Sequence, residues 1–237
     1  MKNICLASTS TVHGKPYLSY LLPVMKEVFA GIDEIIFVPY AQPGGISHDE
    51  YTAKAQEGFA ALNIKVKGVH TFDHPFDAIK NANGIFVGGG NTFLLIKTLY
   101  ENNLVECMRD VVNAGTPYLG TSAGSNIAGV NVRNTNDMPI VYPPSFDAMG
   151  LIPFNINAHY LDPEPTSKHM GETRETRIKE FHANDENEVS VLGLREGSWV
   201  RVRGESINLG GELQARLFKK GEEPVELASD SNLNPLV

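Results

Sequence analysis

The fold is decided around one stretch of the sequence, YLGTSAGSNIA at residues 118–128. Its beginning belongs to a short apolar run, 117–120, that predicts a β-strand. Gly120 and Gly124 permit a tight turn around Ser122, and residues 125–128 can continue as a helix. A strand that passes through a tight turn into a helix is the building unit of α/β folds.

The same unit recurs upstream of this stretch. Apolar runs that predict strands lie at 4–7, 35–39, 66–69, 84–87 and 117–120. Helical spacing of apolar residues is found at 17–29, 49–62, 92–100 and 104–113. Alternation of strands with helices predicts an α/β fold, with a mostly parallel sheet and helices on both faces.

The pattern changes after about residue 130. Prolines at 139, 143, 144, 153, 163 and 165 exclude long helices and indicate ordered loops. One further helix is predicted at 173–183, and strands at 154–158, 190–194, 199–203, 206–209 and 215–218. No flexible linker or internal repeat separates these parts, so the sequence predicts a single domain over residues 1–237.

Composition excludes several classes of function. The net charge of −8 over 237 residues argues against nucleic acid or an anionic membrane as a partner. There is no apolar run of about 18 residues and no signal-peptide pattern, so a cytoplasmic location is expected. The two cysteines, Cys5 and Cys107, lack metal-ligand or disulfide spacing and are expected to be buried thiols. We therefore expect no metal site.

Ser122 is the sharpest chemical signal. The pattern Gly-x-Ser-x-Gly between a strand and a helix is typical of a nucleophile elbow, which presents the serine hydroxyl at the carboxyl edge of a sheet. The N–H group of Ala123, at the start of the helix, would point at the same space and help to hold an oxyanion.

A second strand–glycine loop–helix unit contains Gly88, Gly89 and Gly90, followed by Asn91 and Thr92. Either of the last two could cap the next helix. The loop lacks the lysine of a phosphate-binding P-loop and the spacing of a dinucleotide fingerprint. We interpret it as a second wall of the oxyanion hole, with the Gly90 N–H facing Ser122, although a simple tight turn is the alternative.

Six blocks of the sequence resemble peptidase E. In chain order they are GGGNTF at 88–93, GTSAG at 120–124, TNDMPIV at 135–141, NINAH at 155–159, GETRE at 171–175 and LGLREG at 192–197. The resemblance covers nearly the whole chain. It implies a flavodoxin-like fold related to class I glutamine amidotransferases, with serine in place of their cysteine. It also implies cleavage of dipeptides that begin with aspartate.

A general base is needed to activate Ser122, and the chain has seven histidines, at 13, 48, 70, 74, 159, 169 and 182. His159 follows a predicted strand in a proline-bounded region that can fold over the sheet edge, and the resemblance also places the base there. Histidine titrates near neutrality, so it can take the serine proton and return it to the leaving amine.

Two carboxylates are candidates to orient His159. Asp137 gives the chain order Ser, Asp, His of α/β-hydrolases. Glu196 follows the strand at 190–194, and ligand-facing groups collect at such strand ends. We slightly prefer Asp137, because an acid in that neutral loop otherwise lacks a purpose. The other acid could hold the free α-amine of the substrate.

Specificity for aspartate requires a cation. Residues 168–177 supply Lys168, His169, Arg174 and Arg177 near a predicted helix start. Arginine binds carboxylates bidentately, and the resemblance favours Arg174, with Arg177 as the alternative. An exposed helix with ion pairs is an equally good explanation from the residues alone. Asn91 is a further candidate for substrate binding.

We therefore predict a serine dipeptidase that acts through an acyl-enzyme and uses no cofactor, its partner being a small peptide with N-terminal aspartate. The proline-rich loops would close the cleft around two residues. A second copy of this chain, in a homodimer, is a further candidate partner. Two alternatives remain at this point, a cyanophycinase-like hydrolase of β-aspartyl peptides and a non-catalytic flavodoxin-like binding module.

Overall fold

The computed structural model describes residues 1–164, 166, 168 and 170–236, so Pro165 and His169 lie outside the described residues. The strands are β1 (Asn3–Ala7), β2 (Glu34–Val38), β3 (Lys65–Gly68), β4 (Ile85–Val87), β5 (Tyr118–Thr121), β6 (Asn155–Ala158), β7 (Val191–Leu194), β8 (Ser198–Arg203), β9 (Ser206–Gly211), β10 (Ala215–Phe218) and β11 (Val225–Leu227). The helices are α1 (Leu22–Val28), α2 (His48–Phe59), α3 (Pro75–Lys80), α4 (Thr92–Glu101), α5 (Leu104–Ala114), α6 (Ala123–Asn126) and α7 (Arg174–Ala183).

These strands form two sheets. The larger has seven strands in the order β3-β2-β4-β5-β1-β8-β9, of which β3, β2, β4, β5 and β1 run parallel. Strands β8 and β9 complete this sheet; β8 runs antiparallel to β1, and β9 runs antiparallel to β8. The smaller sheet has the order β11-β10-β7-β6, in which only β6 and β7 are parallel. The predicted mostly parallel α/β fold is confirmed.

The inner parallel strands β1, β2, β4 and β5 of the larger sheet are covered on both faces, which explains their continuous apolar sequence. Along β1, Ile4 and Leu6 belong to one apolar cluster and Cys5 and Ala7 to another. The cluster of Cys5 includes side chains of α1 and α2, whereas that of Ile4 includes α3, α4, α5 and the strands of the smaller sheet. Alternate side chains point to opposite faces of a strand, so every core strand serves both layers.

Three elements differ from the sequence prediction. The predicted helix at 17–29 is shortened to α1, preceded by a 3₁₀ turn at Ser19–Leu21, because Leu18 has φ 56° and Pro23 has no N–H to donate. Helix α3 and strand β11 were not predicted. At six and three residues, both are too short for a periodic pattern to emerge.

Both cysteines are buried and free, as expected. Burial raises the pKa of the Cys5 thiol to about 12, so this group stays protonated at neutral pH. Among the described residues, no helix combines the length and apolarity needed to cross a membrane.

Candidate active site

Ser122 lies in a sharp turn between β5 and α6. Its backbone has φ 53° and ψ −114°, which is unusual for a residue with a side chain. The turn is crowded: a Cβ on Gly120 would lie 2.4 Å from the carbonyl oxygen of Gly124, and one on Gly124 would lie 2.3 Å from that of Val87. Both glycines of the Gly-x-Ser-x-Gly pattern are therefore required by sterics.

A line of hydrogen bonds runs from Ser122 through His159 to Glu196. Ser122 Oγ lies 2.9 Å from Nε2 of His159, and Nδ1 of the same ring lies 2.7 Å from Oε1 of Glu196. With Nδ1 protonated and donating to the carboxylate, Nε2 is free to accept the serine proton. This is the geometry that general-base activation of a serine requires.

The register of the smaller sheet explains why Glu196 reaches His159. Strands β6 and β7 are parallel, with Ala158 paired to Leu194. Residues just beyond the ends of parallel neighbours emerge at the same edge, so the side chains of His159 and Glu196 meet there.

Asp137 has a different position, and the slight preference for it as the partner of His159 does not hold in the structure. Its Oδ2 accepts hydrogen bonds from the N–H of Thr92 at 2.7 Å and from the hydroxyl of Thr135 at 3.1 Å. Thr92 is the first residue of α4, where unpaired N–H groups attract a carboxylate. Asp137 thus anchors its loop to α4 while Glu196 occupies the place beside the imidazole.

Ser8 is a site residue that the sequence did not indicate. Its fully buried hydroxyl accepts from the N–H of His159 at 2.9 Å and donates to the carbonyl of Leu194 at 2.7 Å. His159 itself has φ 55°, so its backbone needs such support. The available signal was its position just after β1, at the carboxyl edge where site residues collect.

The glycine loop lies against Ser122. A Cβ on Gly89 would be 3.5 Å from Ser122 Oγ, and one on Gly90 would be 2.2 Å from the carbonyl oxygen of Ala41. The Tyr51 hydroxyl accepts from the Gly89 N–H at 2.9 Å, and Gln42 donates to the Gly89 carbonyl at 2.8 Å. These contacts hold the loop in place; sequence reasoning missed both side chains.

The predicted oxyanion-hole donors are both free. Neither the N–H of Gly90 nor that of Ala123 has an acceptor among the residues that the structure describes. Gly90 and Ser122 line one cavity of about 290 Å³, together with His159, Tyr17 and Lys54. A carbonyl bound in this cavity could therefore meet the serine hydroxyl and main-chain donors together.

Asn91 has a structural role in this region. It is the N-cap of α4, where its side-chain oxygen accepts from the N–H of Leu94 at 3.0 Å. Its amide nitrogen donates to the carbonyl of Met138 at 2.8 Å. One amide hydrogen remains, so the predicted contact with substrate stays a prediction.

Arg174 and Arg177 lie outside the cavity of Ser122. They line a neighbouring cavity of about 620 Å³, with Asn136, Met138 and Leu161. Burial, and secondly the nearby Arg177 charge, lower the pKa of the Arg174 guanidinium, whereas Asp137 acts in the opposite direction. Repulsion between these two cations favours the binding of an anionic group. Lys168 is exposed.

Residues close together in the sequence line the two cavities. Gly90 and His159 line the first, and Leu161 and Met138 line the second. Asn136 lines the second cavity and donates to the carbonyl of Ala158 at 2.9 Å. A peptide bound over Ser122 could thus extend into both.

Comparison with known proteins gives consistent matches over the whole chain. Peptidase E of Streptomyces coelicolor is 49% identical over 235 residues, covering 99% of this chain and 95% of the relative. A Drosophila melanogaster protein named "Probable alpha-aspartyl dipeptidase" is 45% identical over 239 residues, covering 100% of this chain and 98% of that protein. The solved structure of a peptidase from an acI-B1 Actinobacterium has a TM-score of 0.72 at 14% identity, covering 98% of this chain and 96% of that one, and thus shares the fold.

The family model described as Peptidase family S51 matches residues 4–210, a span that includes Ser122, His159 and Glu196. With that match and the relatives of 45–49% identity, the chain belongs to peptidase family S51, as its resemblance to peptidase E led us to expect.

Proposed function

We propose that this chain is a serine dipeptidase that hydrolyses Asp-Xaa dipeptides through an acyl-enzyme on Ser122. The observation that carries the proposal is the pair of contacts at His159, 2.9 Å to Ser122 Oγ and 2.7 Å to Glu196 Oε1. Two of the relatives are named for peptidase E and α-aspartyl dipeptidase activity, which supports the same substrate class.

In the first half-reaction the Ser122 oxygen attacks the carbonyl carbon of the aspartyl residue. His159 Nε2 takes the hydroxyl proton, and Glu196 stabilises the imidazolium that forms. The carbon–nitrogen bond then breaks, and Nε2 gives its proton to the leaving amine. The products are the free second residue and an aspartyl ester of Ser122.

In the second half-reaction a water molecule replaces the leaving amine. His159 removes one proton from this water molecule while the water oxygen attacks the ester carbon. The carbon–oxygen bond to Ser122 breaks, the serine recovers the proton, and aspartate is released. The N–H groups of Gly90 and Ala123 would stabilise the oxyanion in both halves, and loss of one such donor typically costs about 10²–10³ in rate.

Recognition of the aspartyl group is assigned to the cavity of Arg174. This guanidinium is half-buried and forms no ion pair with the described carboxylates, so it is available to a substrate carboxylate. Arg177 is exposed and serves as the alternative. Replacement of Arg174 by Met should reduce kcat/KM for Asp-Leu by about tenfold to hundredfold, with a smaller effect for Arg177→Met.

The proposal is tested by labelling and by substrate choice. A fluorophosphonate should label the wild type at Ser122, whereas Ser122→Ala should not react and should lose about 10⁴-fold or more of its activity on Asp-Leu. Undiminished hydrolysis by folded Ser122→Ala protein would refute the mechanism.

The same assay separates the alternatives. Faster hydrolysis of β-Asp-Leu than of α-Asp-Leu would favour a cyanophycinase-like activity. Membership of a peptidase family gives no support to a non-catalytic flavodoxin-like module.

A cytoplasmic location and a homodimer belong to the same proposal. Exposed apolar side chains in one loop, Met138, Ile140 and Tyr142, support a protein contact surface there. Light scattering at micromolar concentration would test the dimer, since a monomer at all concentrations contradicts it.

A further inference from the structure

The cavity that contains Ser122 also contains a cation that the proposed mechanism does not use. Lys54 projects from α2 and lines this cavity together with Ser122, His159 and Gly90. Its Nζ lies 5.0 Å from the centroid of the Tyr17 ring, and it forms no ion pair with the described carboxylates. Lys54 is exposed, so an unpaired ammonium that lines the same cavity as Ser122 is available to an anionic part of the substrate.

Its nearest acidic neighbour on the preceding helical turn is already engaged. Glu50 belongs to the capping box of α2, in which its Oε2 accepts from the N–H of Ser47 at 2.8 Å. The Tyr17 ring packs against the Lys54 ammonium, whereas the Tyr17 hydroxyl is buried. Among the described residues that line it, the cavity therefore offers a substrate one cation, the ammonium of Lys54.

The position of His159 tells which end of the substrate enters this cavity. His159 must give a proton to the leaving amine, so the second residue of the dipeptide has to lie on the side of the imidazole. His159, Ser122 and Lys54 line the same cavity, whereas Arg174 lines the other. The leaving residue thus belongs to the cavity of Lys54 and the aspartyl side chain to that of Arg174.

In a dipeptide the leaving residue ends in a free carboxylate. Three bonds of roughly 1.3–1.5 Å each separate the scissile carbonyl carbon from the carboxylate carbon, so the carboxylate carbon lies at most about 4 Å from the reacting atom and its charged oxygens about one bond farther. A cavity of about 290 Å³ that starts at Ser122 has room for one such residue.

Resting on the proposed function, we infer that Lys54 binds the free C-terminal carboxylate of the substrate's second residue. A third residue would convert that carboxylate into a neutral amide and move the charge outward by about 3.8 Å. Lys54 is thus a specificity-determining residue that favours dipeptides over longer peptides.

The test compares Asp-Leu with Asp-Leu-amide, which lacks only the terminal charge. Wild type should prefer the free acid by about tenfold in kcat/KM. Lys54→Met should lose about that factor on Asp-Leu, mainly through KM, and change less than twofold on the amide. Lys54→Arg should retain most of the preference, because it keeps the positive charge at this position.

Lys65→Met is the matched control, because Lys65 is an exposed lysine on β3 that does not line the cavity. The inference is overturned if wild type hydrolyses acid and amide equally, or if Lys54→Met slows both substrates to the same extent. Failure of the proposed function looks different, since wild type would then not hydrolyse either substrate.

Discussion

At Ser122 the proposed chemistry depends on an unfavourable backbone conformation. A residue with a side chain at φ 53°, ψ −114° costs on the order of 1–3 kcal/mol. The conformation persists because its N–H donates to the carbonyl of Ala7 at 3.1 Å and its carbonyl accepts from Ser125 and Asn126. The strained turn thus lowers the stability of the fold while it presents the Ser122 hydroxyl to the cavity.

Removal of the Ser122 side chain should therefore abolish activity, whereas its effect on stability should depend on the residue that replaces serine. We expect Ser122→Gly to abolish hydrolysis and yet to unfold with a free energy about 1 kcal/mol higher than Ser122→Ala, because glycine tolerates positive φ. Urea unfolding of the two variants measures the difference. Equal stability would mean that Ser122 is not strained.

Substitutions of the two carboxylates near the site, Glu196 and Asp137, should affect different properties of the protein. Glu196→Gln should lower kcat by about 10²–10⁴ with little change in KM, because the amide cannot stabilise the imidazolium. Asp137→Asn should instead lower the free energy of unfolding by about 1 kcal/mol, since Asp137 accepts from the first turn of α4.

Steady-state kinetics on Asp-Leu and thermal melts of both variants distinguish the roles. A larger fall in kcat for Asp137→Asn than for Glu196→Gln would reverse the assignment.

For single residues, the sequence predicted the identity of the site residues better than it predicted the contacts between them. Ser122 and His159 were indicated by pattern and resemblance and lie within hydrogen-bonding distance. The choice between Asp137 and Glu196 depended on the pairing of β6 with β7, which no local pattern encodes. Ser8 and Lys54 were missed because they act through contacts distant in the chain.

Among the elements, the β5–α6 turn has no space for a side chain at its two glycines. The Cβ of Gly124→Ala would lie 2.3 Å from the carbonyl oxygen of Val87, which is backbone and cannot rotate away. We expect a loss of about 1–3 kcal/mol in the free energy of unfolding, together with loss of activity.

Gly44→Ala is the control for this substitution, because nothing lies within 4 Å of the Cβ position at Gly44. Urea unfolding monitored by circular dichroism gives both values. A Gly124→Ala protein as stable as Gly44→Ala would show that the turn can relax.

Predicted elements were accurate where burial is two-sided. Strands β1, β2, β4 and β5 appear as apolar runs because both of their faces are covered, and they were found to within a residue or two. The helix predicted from residue 17 begins only at Leu22, because apolar spacing takes no account of the Leu18 turn or Pro23. The single-domain prediction stays a prediction.

In the whole molecule, an ion network links the parts that carry the site. Arg195, next to Glu196, donates to both carboxylate oxygens of Asp162 at 2.8 Å and to Glu226 at 2.9 and 3.0 Å. Arg216 contacts Glu226 at 2.9 Å and Glu175 of α7 at 3.0 Å. The network joins β7, β10, β11 and α7.

This network should make stability sensitive to acid. Hydrogen bonds from Arg195 lower the pKa values of Asp162 and Glu226. Because these values are depressed in the folded state, the stabilisation is complete above about pH 5 and is lost as the pH falls below about 4. Arg195→Met should lower the free energy of unfolding by about 1–2 kcal/mol at pH 7 and flatten this acid dependence.

Melting temperatures between pH 3 and pH 7 provide the measurement. Glu212→Gln is the control, since Glu212 is exposed and forms no ion pair among the described residues. An acid dependence of Arg195→Met equal to that of wild type would contradict the role of the network.

The proposed catalytic groups are divided between the two sheets. Ser122 follows β5 of the larger sheet, whereas His159 and Glu196 follow β6 and β7 of the smaller one, and the Ser8 hydroxyl bridges the boundary. A small sliding of one layer against the other would part the hydroxyl from the imidazole while leaving every helix and strand intact. On heating, activity should therefore be lost at a temperature some degrees below the melting temperature measured by circular dichroism. The contact between the two sheets would thus limit the temperature at which the enzyme works.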